Sequence, residues 1–311
     1  MPLDPHAKRF LDMLAVAGSA NPTETTIDER RQTFRNLMGF SGRLPEIGHI
    51  EARNLPGPGG PIAVRIYTPA IAETRPLPGL VYLHGGGLVA GSLDTHDGLC
   101  RTLANEIGCR LVSVDYRLAP EHRFPAGLLD GEAAARWVFE HADEVGIDRK
   151  RLGIGGDSAG ATLAAVLCQM TREAKGPPIA FQLLLCPITD FVVDTPSRRA
   201  FDTRLLDQAT MARDLAWYLP PDHDPADPRV SPLCAADLCG LPPAFIHTGE
   251  YDPFRDEGRA YAERLEGDGV AVRYTCHPGM VHLFYGLAGV IPQARAVLQM
   301  VGAQLRGGLD G

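Results

Sequence analysis

Short apolar runs alternate with longer segments whose apolar residues recur three and four positions apart along most of this 311-residue chain. The first two segments have the helical period. Over 5–17, Phe10, Met13, Leu14 and Ala17 fall on one face. Over 24–38, Ile27, Phe34 and Leu37 do so, with Thr23 or Thr25 standing where an N-cap belongs. The pattern changes from Glu46, and Ile62-Ala63-Val64-Arg65-Ile66-Tyr67 reads as a strand behind the turn Gly57-Pro58-Gly59-Gly60. Beyond it, predicted strands at 80–83, 110–114, 151–155 and 181–186 are interleaved with predicted helices at 99–107, 128–142 and 159–171.

After Pro187 the alternation stops. A helix at 207–218 and a Pro-rich stretch at 219–232 fill the gap, before a strand at 244–248, a helix at 256–266, a strand at 270–276 and a helix at 293–305 resume it. Strands separated by helices build a mostly parallel sheet covered on both faces, an α/β fold. The expected organisation is a core of 46–186 and 243–311. Segments 1–45 and 187–242 would lie above the sheet as a helical cap.

Composition narrows the partners. Thirty Lys and Arg against 38 Asp and Glu leave a net charge of −8, and no run of like charges supplies a basic patch. Neither nucleic acid nor an anionic membrane surface is therefore an expected partner. No apolar stretch reaches the roughly 18 residues of a spanning helix. The run Phe10 to Ala17, interrupted by Asp12, is too short for a secretion signal. The seven cysteines form no Cys-x-x-Cys pair and have no histidine at zinc-finger spacing, so no structural metal is expected. Cys168 and Cys186 lie in apolar segments, as buried free thiols do in a reducing cytosol.

The sharpest chemical signal is Gly156-Asp157-Ser158-Ala159-Gly160, a G-x-S-x-G motif between a predicted strand and a predicted helix. Chance supplies such a string only about 0.08 times in a chain of this length and composition. A strand, tight turn and helix would lift the Ser158 hydroxyl clear of the sheet, near a helix N-terminus. A serine needs a base to be nucleophilic, and the base needs a third group to orient it. Chain order in such folds is serine, acid, histidine. His282, in the loop expected after the last strand, is favoured over His277, which should close that strand. Asp252, in Gly249-Glu250-Tyr251-Asp252-Pro253, is favoured over Asp190 and Glu250, and Asp256 and Glu257 fit the first turn of the next helix better. His84-Gly85-Gly86-Gly87 follows a predicted strand and can turn bare backbone N–H groups toward an oxyanion. The same loop fits the dinucleotide pattern through Gly85, Gly87 and Ala90, with Asp115 ending the next strand. That pattern requires a helix to open at once, where Gly91 to Asp97 reads as further loop.

Taken together, these motifs resemble the bacterial hormone-sensitive-lipase family of α/β-hydrolases. The resemblance spans roughly residues 78–290. It rests on His84 to Gly87, Asp115-Tyr116-Arg117-Leu118-Ala119-Pro120-Glu121, the Ser158 motif, Asp252-Pro253 and Gly279-Met280-Val281-His282. It implies a Ser158–Asp252–His282 triad. It also implies an oxyanion hole from Gly86, Gly87 and the N–H of Ala159, with Gly85 shaping the loop, and a structural role for Asp115 to Pro125. Chemistry of this kind needs no cofactor. Three departures border the pocket: Leu88 where the family has an aromatic, and Ala161 and Leu283 where it has glycines.

The expected activity is hydrolysis of short- to medium-chain carboxylic esters, small molecules, through an acyl-enzyme. Leu14, Phe34, Leu37, Phe201, Leu205 and Trp217, with Leu88 and Leu283, are the candidates to line the pocket. An amidase or deacetylase could use the same triad, and no apolar lid marks a true lipase. Binding-only gibberellin receptors resemble the family but lack the histidine that His282 supplies here. The resemblance further implies a homodimer through the sheet edge at Val270–Cys276.

Overall fold

The computed structural model describes residues 1–16, 25–71, 76–201 and 205–309. Its strands are β1 (His49–Leu55), β2 (Ile62–Thr68), β3 (Leu77–Leu83), β4 (Arg110–Val114), β5 (Ile147–Asp157), β6 (Gln182–Leu185), β7 (Ala244–Tyr251) and β8 (Val272–Val281). Its α-helices are α1 (Pro5–Val16), α2 (Ile27–Met38), α3 (Asp97–Ile107), α4 (Ala126–Glu140), α5 (Ala159–Glu173), α6 (Pro196–Ala200), α7 (Gln208–Tyr218), α8 (Arg255–Gly267) and α9 (Gln293–Leu309).

The eight strands make one sheet in the order β1-β2-β4-β3-β5-β6-β7-β8. Pairing is antiparallel for β1 with β2 and β2 with β4, and parallel from β4 across to β8. Alternate side chains of β3 enter the two cores. Val81 and Leu83 pack with α4, α5 and α8, while Leu80 and Tyr82 pack with α3 and α9. Because the parallel strands run the same way, their C-terminal ends share one edge of the sheet. That edge is where ligands bind in such folds.

The predicted alternation is present, with corrections at the ends. β5 begins at Ile147 and β8 runs to Val281, so His277 lies inside the last strand and not at its close. β1 and the five-residue α6 carry no element in the sequence reading. α2 is capped by Thr26, neither Thr23, which lies outside the described residues, nor Thr25. Thr26 accepts from the N–H of Glu29 while the Glu29 side chain accepts from the Thr26 N–H, a reciprocal capping box. On α1 the buried face is Ala7 and Phe10, continuing to half-buried Leu14. Met13 is 42% exposed, and Ala17 lies outside the described residues.

The segments before β1 and between β6 and β7 are tied to the rest by arginines. Arg31 of α2 donates to the Val89 carbonyl at 2.9 Å. Arg198 of α6 reaches Glu257 of α8 at 2.6 Å, and Asp256 accepts the Ser197 N–H at 2.8 Å. Asp256 and Glu257 do sit in the first turn of α8, as expected.

Two buried histidines make stability pH-dependent. His247 on β7 and His277 on β8 share a 3.1 Å hydrogen bond and stack at 5.3 Å. Burial lowers His277 to about 4; burial and the adjacent ring lower His247 to about 3. Both are therefore neutral in the native chain at pH values where the unfolded chain has protonated them. The unfolded state then binds more protons, so stability is full above about pH 6.5 and falls as pH drops toward the native values. Compared with a His247→Gln/His277→Gln variant, wild type should lose more stability in denaturant unfolding between pH 7 and pH 5, by up to about 2 kcal/mol per histidine. An equal change in the two proteins would contradict it.

Candidate active site

Ser158 follows β5 directly and initiates α5. Its backbone is left-handed in φ (53°, ψ −123°), a conformation rare for any residue with a side chain. The flanking glycines make this turn feasible. A Cβ at Gly160 would lie 2.0 Å from the Leu83 carbonyl oxygen and 2.5 Å from that of His84, so α5 can start this close to β3 only with glycine there. The Ser158 N–H is held by the Leu185 carbonyl at 2.7 Å.

Asp252 follows β7 and His282 follows β8, so three strand ends converge. Ser158 Oγ lies 3.0 Å from His282 Nε2, and His282 Nδ1 lies 2.9 Å from Asp252 Oδ2. The other carboxylate oxygen of Asp252 accepts the Phe254 N–H at 2.8 Å. All three side chains are buried, and the Phe254 ring meets the imidazole edge-on at 5.1 Å. His282 can thus take a proton from Ser158 on one nitrogen while Asp252 fixes the other.

The loop after β3 closes the opposite side. Among the described residues, none accepts a hydrogen bond from the N–H of Gly86, Gly87 or Ala159. Sequence reasoning missed what holds this loop. The Asp157 carboxylate, fully buried, accepts from the Gly85 N–H at 3.0 Å and the Tyr82 hydroxyl at 2.7 Å, with His96 Nε2 at 3.3 Å. Burial alone would raise its pKa, but His96 and the Tyr82 hydroxyl more than offset this and hold it below the ordinary aspartate value. His84 stacks on Tyr116 at 4.4 Å, and its main-chain carbonyl accepts the Tyr116 hydroxyl at 2.7 Å. Burial lowers His84 to about 3, so the ring is a neutral packing element. Asp157 and Tyr116 lie within the quoted motifs, but no spacing rule marks them as partners of this loop.

A cavity of about 820 Å³ opens over Ser158 and His282. Leu14, Phe34, Leu37, Leu88, Leu205 and Leu283 are among the residues that line it. Phe201 and Trp217 do not. Phe201 packs on the Tyr251 ring at 5.3 Å, and Trp217, beyond the last lining residue of α7, takes the Arg213 guanidinium at 5.0 Å. Leu88 and Leu283 both have left-handed φ values, 66° and 57°. The glycine that the family has at the second position would hold that φ without strain.

A family profile described as an alpha/beta hydrolase fold matches residues 80–286. The chain belongs to the α/β-hydrolase superfamily. This hydrolase is 43% identical over 298 residues to carboxylesterase NlhH of Mycobacterium tuberculosis, covering 94% of this chain and 92% of that protein. It is 36% identical to an ethyl acetate hydrolase of Pseudomonas putida, covering 97% of this chain and 98% of that one. Its fold superposes on an ester hydrolase from the metagenome of Lake Arreo with a TM-score of 0.94 at 40% identity, covering 98% of each chain. The hydrolase is a carboxylic ester hydrolase of the hormone-sensitive-lipase type.

The rival assignments in the hydrolase are occupied elsewhere. Asp190 accepts the N–H groups of Val192 and Val193, Glu250 binds the Met1 ammonium and the Gly279 N–H, and His277 pairs with His247. The loop after Gly85 reaches its next helix only at Asp97, too late for a dinucleotide turn. The Cys186 thiol completes a buried cluster with Asp252 and His282, donor atoms within 4.8 Å of one another. Burial and the Asp252 charge push that thiol far above its ordinary range. The other two members of the cluster are already engaged, Asp252 with His282 and His282 with Ser158. Among the described residues, no helix is long and apolar enough to cross a membrane.

Proposed function

We propose that this hydrolase cleaves short- to medium-chain carboxylic esters with Ser158 as nucleophile, His282 as general base and acid, and Asp252 as the orienting carboxylate. The observation that carries the reading is the unbroken hydrogen-bonded line Ser158–His282–Asp252, whose serine and histidine line the same cavity as Gly86 and Gly87, two residues whose N–H groups have no acceptor among the described residues. His282 Nε2 takes the hydroxyl proton as Oγ bonds to the ester carbon, and the carbonyl electrons move onto oxygen. The N–H groups of Gly86, Gly87 and Ala159, with Gly85 shaping the loop, stabilise that oxyanion. Collapse breaks the bond to the alkoxide, which leaves as alcohol with the proton from His282. Water then attacks the acyl-enzyme by the same route and releases the acid. The first step uses the lone pair on His282 Nε2, so it requires the neutral imidazole.

Segments 1–45 and 187–242 act as a cap, a reading supported by the place of α2 and α7 in the cavity wall. Leu88, Leu205 and Leu283 supply apolar contacts to substrate, which favours uncharged esters. β8 ends the sheet with no further strand beside it among the described residues, which supports a homodimer through that strand. All seven cysteines are free thiols, in keeping with a reducing compartment such as the cytosol.

Hydrolysis of p-nitrophenyl esters from acetate to palmitate tests the reading, together with labelling by a fluorophosphonate. Turnover should peak among the short and medium chains, with stoichiometric labelling. A peak at palmitate would make the enzyme a lipase. Labelling without ester turnover would favour an amidase, and neither, in folded protein, would leave a binding role.

A further inference from the structure

The cavity wall above the oxyanion loop contains a buried ion pair that the triad does not require. Arg30 of α2 donates through Nε to both oxygens of Asp214 on α7, at 3.3 and 3.0 Å, and through Nη2 to Oδ2 at 2.8 Å. The two side chains are only 12% and 6% exposed, and both line the cavity. Arg213 lies 3.4 Å from the same carboxylate, and the Arg30 guanidinium sits 5.6 Å from the centre of the Phe34 ring.

The position of the pair is what gives it meaning. Asp214 rests directly on Gly87, where φ is +67°. A Cβ at that glycine would lie 2.4 Å from Asp214 Oδ2 and 3.4 Å from Arg30 Nη2. A carboxylate shielded from water this close to the oxyanion loop would oppose any negative charge developing there, because Coulomb terms are weakly screened in such a site. A guanidinium bound to it in fork geometry removes most of that opposition. Burial holds the Asp214 carboxyl above its ordinary value against the pull of Arg30 and Arg213, so the charge balance is read at a pH well above that range, where Asp214 stays ionised without Arg30.

We propose that Arg30 and Asp214 are positioning residues for the oxyanion side of the site. Asp214 seats α7 on Gly87, and Arg30 locks it there while cancelling its charge where the tetrahedral oxyanion forms. This inference rests on the assignment of Gly86 and Gly87 as oxyanion donors. It predicts an asymmetry. Removing the cation leaves an opposing charge, whereas removing the anion leaves a cation that does not oppose catalysis.

The experiment compares wild type, Arg30→Gln, Arg30→Lys, Asp214→Asn and the Arg30→Gln/Asp214→Asn double variant. Each is assayed on p-nitrophenyl butyrate, with kcat expressed per active site after complete fluorophosphonate titration. Arg30→Gln should lose at least about tenfold in kcat with KM changed by no more than about threefold. Arg30→Lys should keep most of the activity, Asp214→Asn should lose clearly less than Arg30→Gln, and the double variant should regain most of the loss. A link that merely holds two helices together predicts equal losses from the two single variants and no regain in kcat. That result, wild-type kcat in Arg30→Gln, or a change in KM alone would overturn the proposal. If Arg30→Gln yields no titratable sites, Asp214→Asn decides, and a loss there of about tenfold or more in kcat overturns it. A wild-type enzyme that neither labels nor hydrolyses the ester would instead defeat the triad assignment.

Discussion

Replacing Ser158 with alanine should lower kcat by about six orders of magnitude while leaving the fold intact. The reason for the size is that, among the described residues, the hydroxyl has one partner, His282 Nε2, and the chemistry has no second nucleophile within that line. The reason for the intact fold is that the backbone bonds at this position survive. The Ser158 N–H still reaches the Leu185 carbonyl and the Ser158 carbonyl still accepts the Thr162 N–H. Alanine accepts a φ of 53° no worse than serine does, so melting temperature should be nearly unchanged. Steady-state hydrolysis beside a thermal melt checks both halves. A variant retaining more than about one hundredth of wild-type kcat would remove Ser158 as nucleophile.

The second large effect is Asp252→Asn, expected to cost about 10⁴-fold in kcat. Local hydrogen bonding fixes which way the amide turns. The Phe254 N–H needs an acceptor at the place of Oδ1, so the asparagine oxygen is drawn there and its NH₂ faces His282. Nδ1 of His282 must then accept, which places the ring proton on Nε2, the nitrogen that should receive the proton from Ser158. The base is lost through its tautomer, with the nucleophile still in position. Fluorophosphonate labelling should slow in step with ester hydrolysis. An Asp252→Asn enzyme within about tenfold of wild type would show that the carboxylate does not orient the histidine.

The sequence made the parallel part of the sheet readable because doubly covered strands are continuous apolar runs and the helices between them keep a 3.6-residue period. β3 is buried throughout, and α5 is buried nearly all round, which is why both stand out. β1 does not, since its residues His49 to Ala52 are exposed or half-buried and carry no clean alternation. The cap of α2 was ambiguous among neighbouring threonines, although Thr26 followed three residues later by Glu29 was a signal available to resolve it. Ser158, Asp252 and His282, which hydrogen bonds join in one line, were legible as motifs at strand ends. Their support was not, because Asp157, His96 and Tyr82 meet only after β3, β5 and the segment before α3 have packed. Periodicity placed Trp217 on a helix, but it could not say where the cavity ends along that helix.

The crowding around Gly160 has a consequence for how this enzyme can change. A residue with any side chain there would meet main-chain oxygen at 2.0 Å, and backbone cannot step aside as a flexible side chain can. The elbow is therefore closed to exploration, and with it the reaction type. Leu14, Leu37 and Leu205 face open space over the same serine, on segments where a change of volume alters what fits without disturbing the elbow. A laboratory selection for new esters should collect its winners on that rim. A library spent on the elbow would return mostly chains that fail to fold.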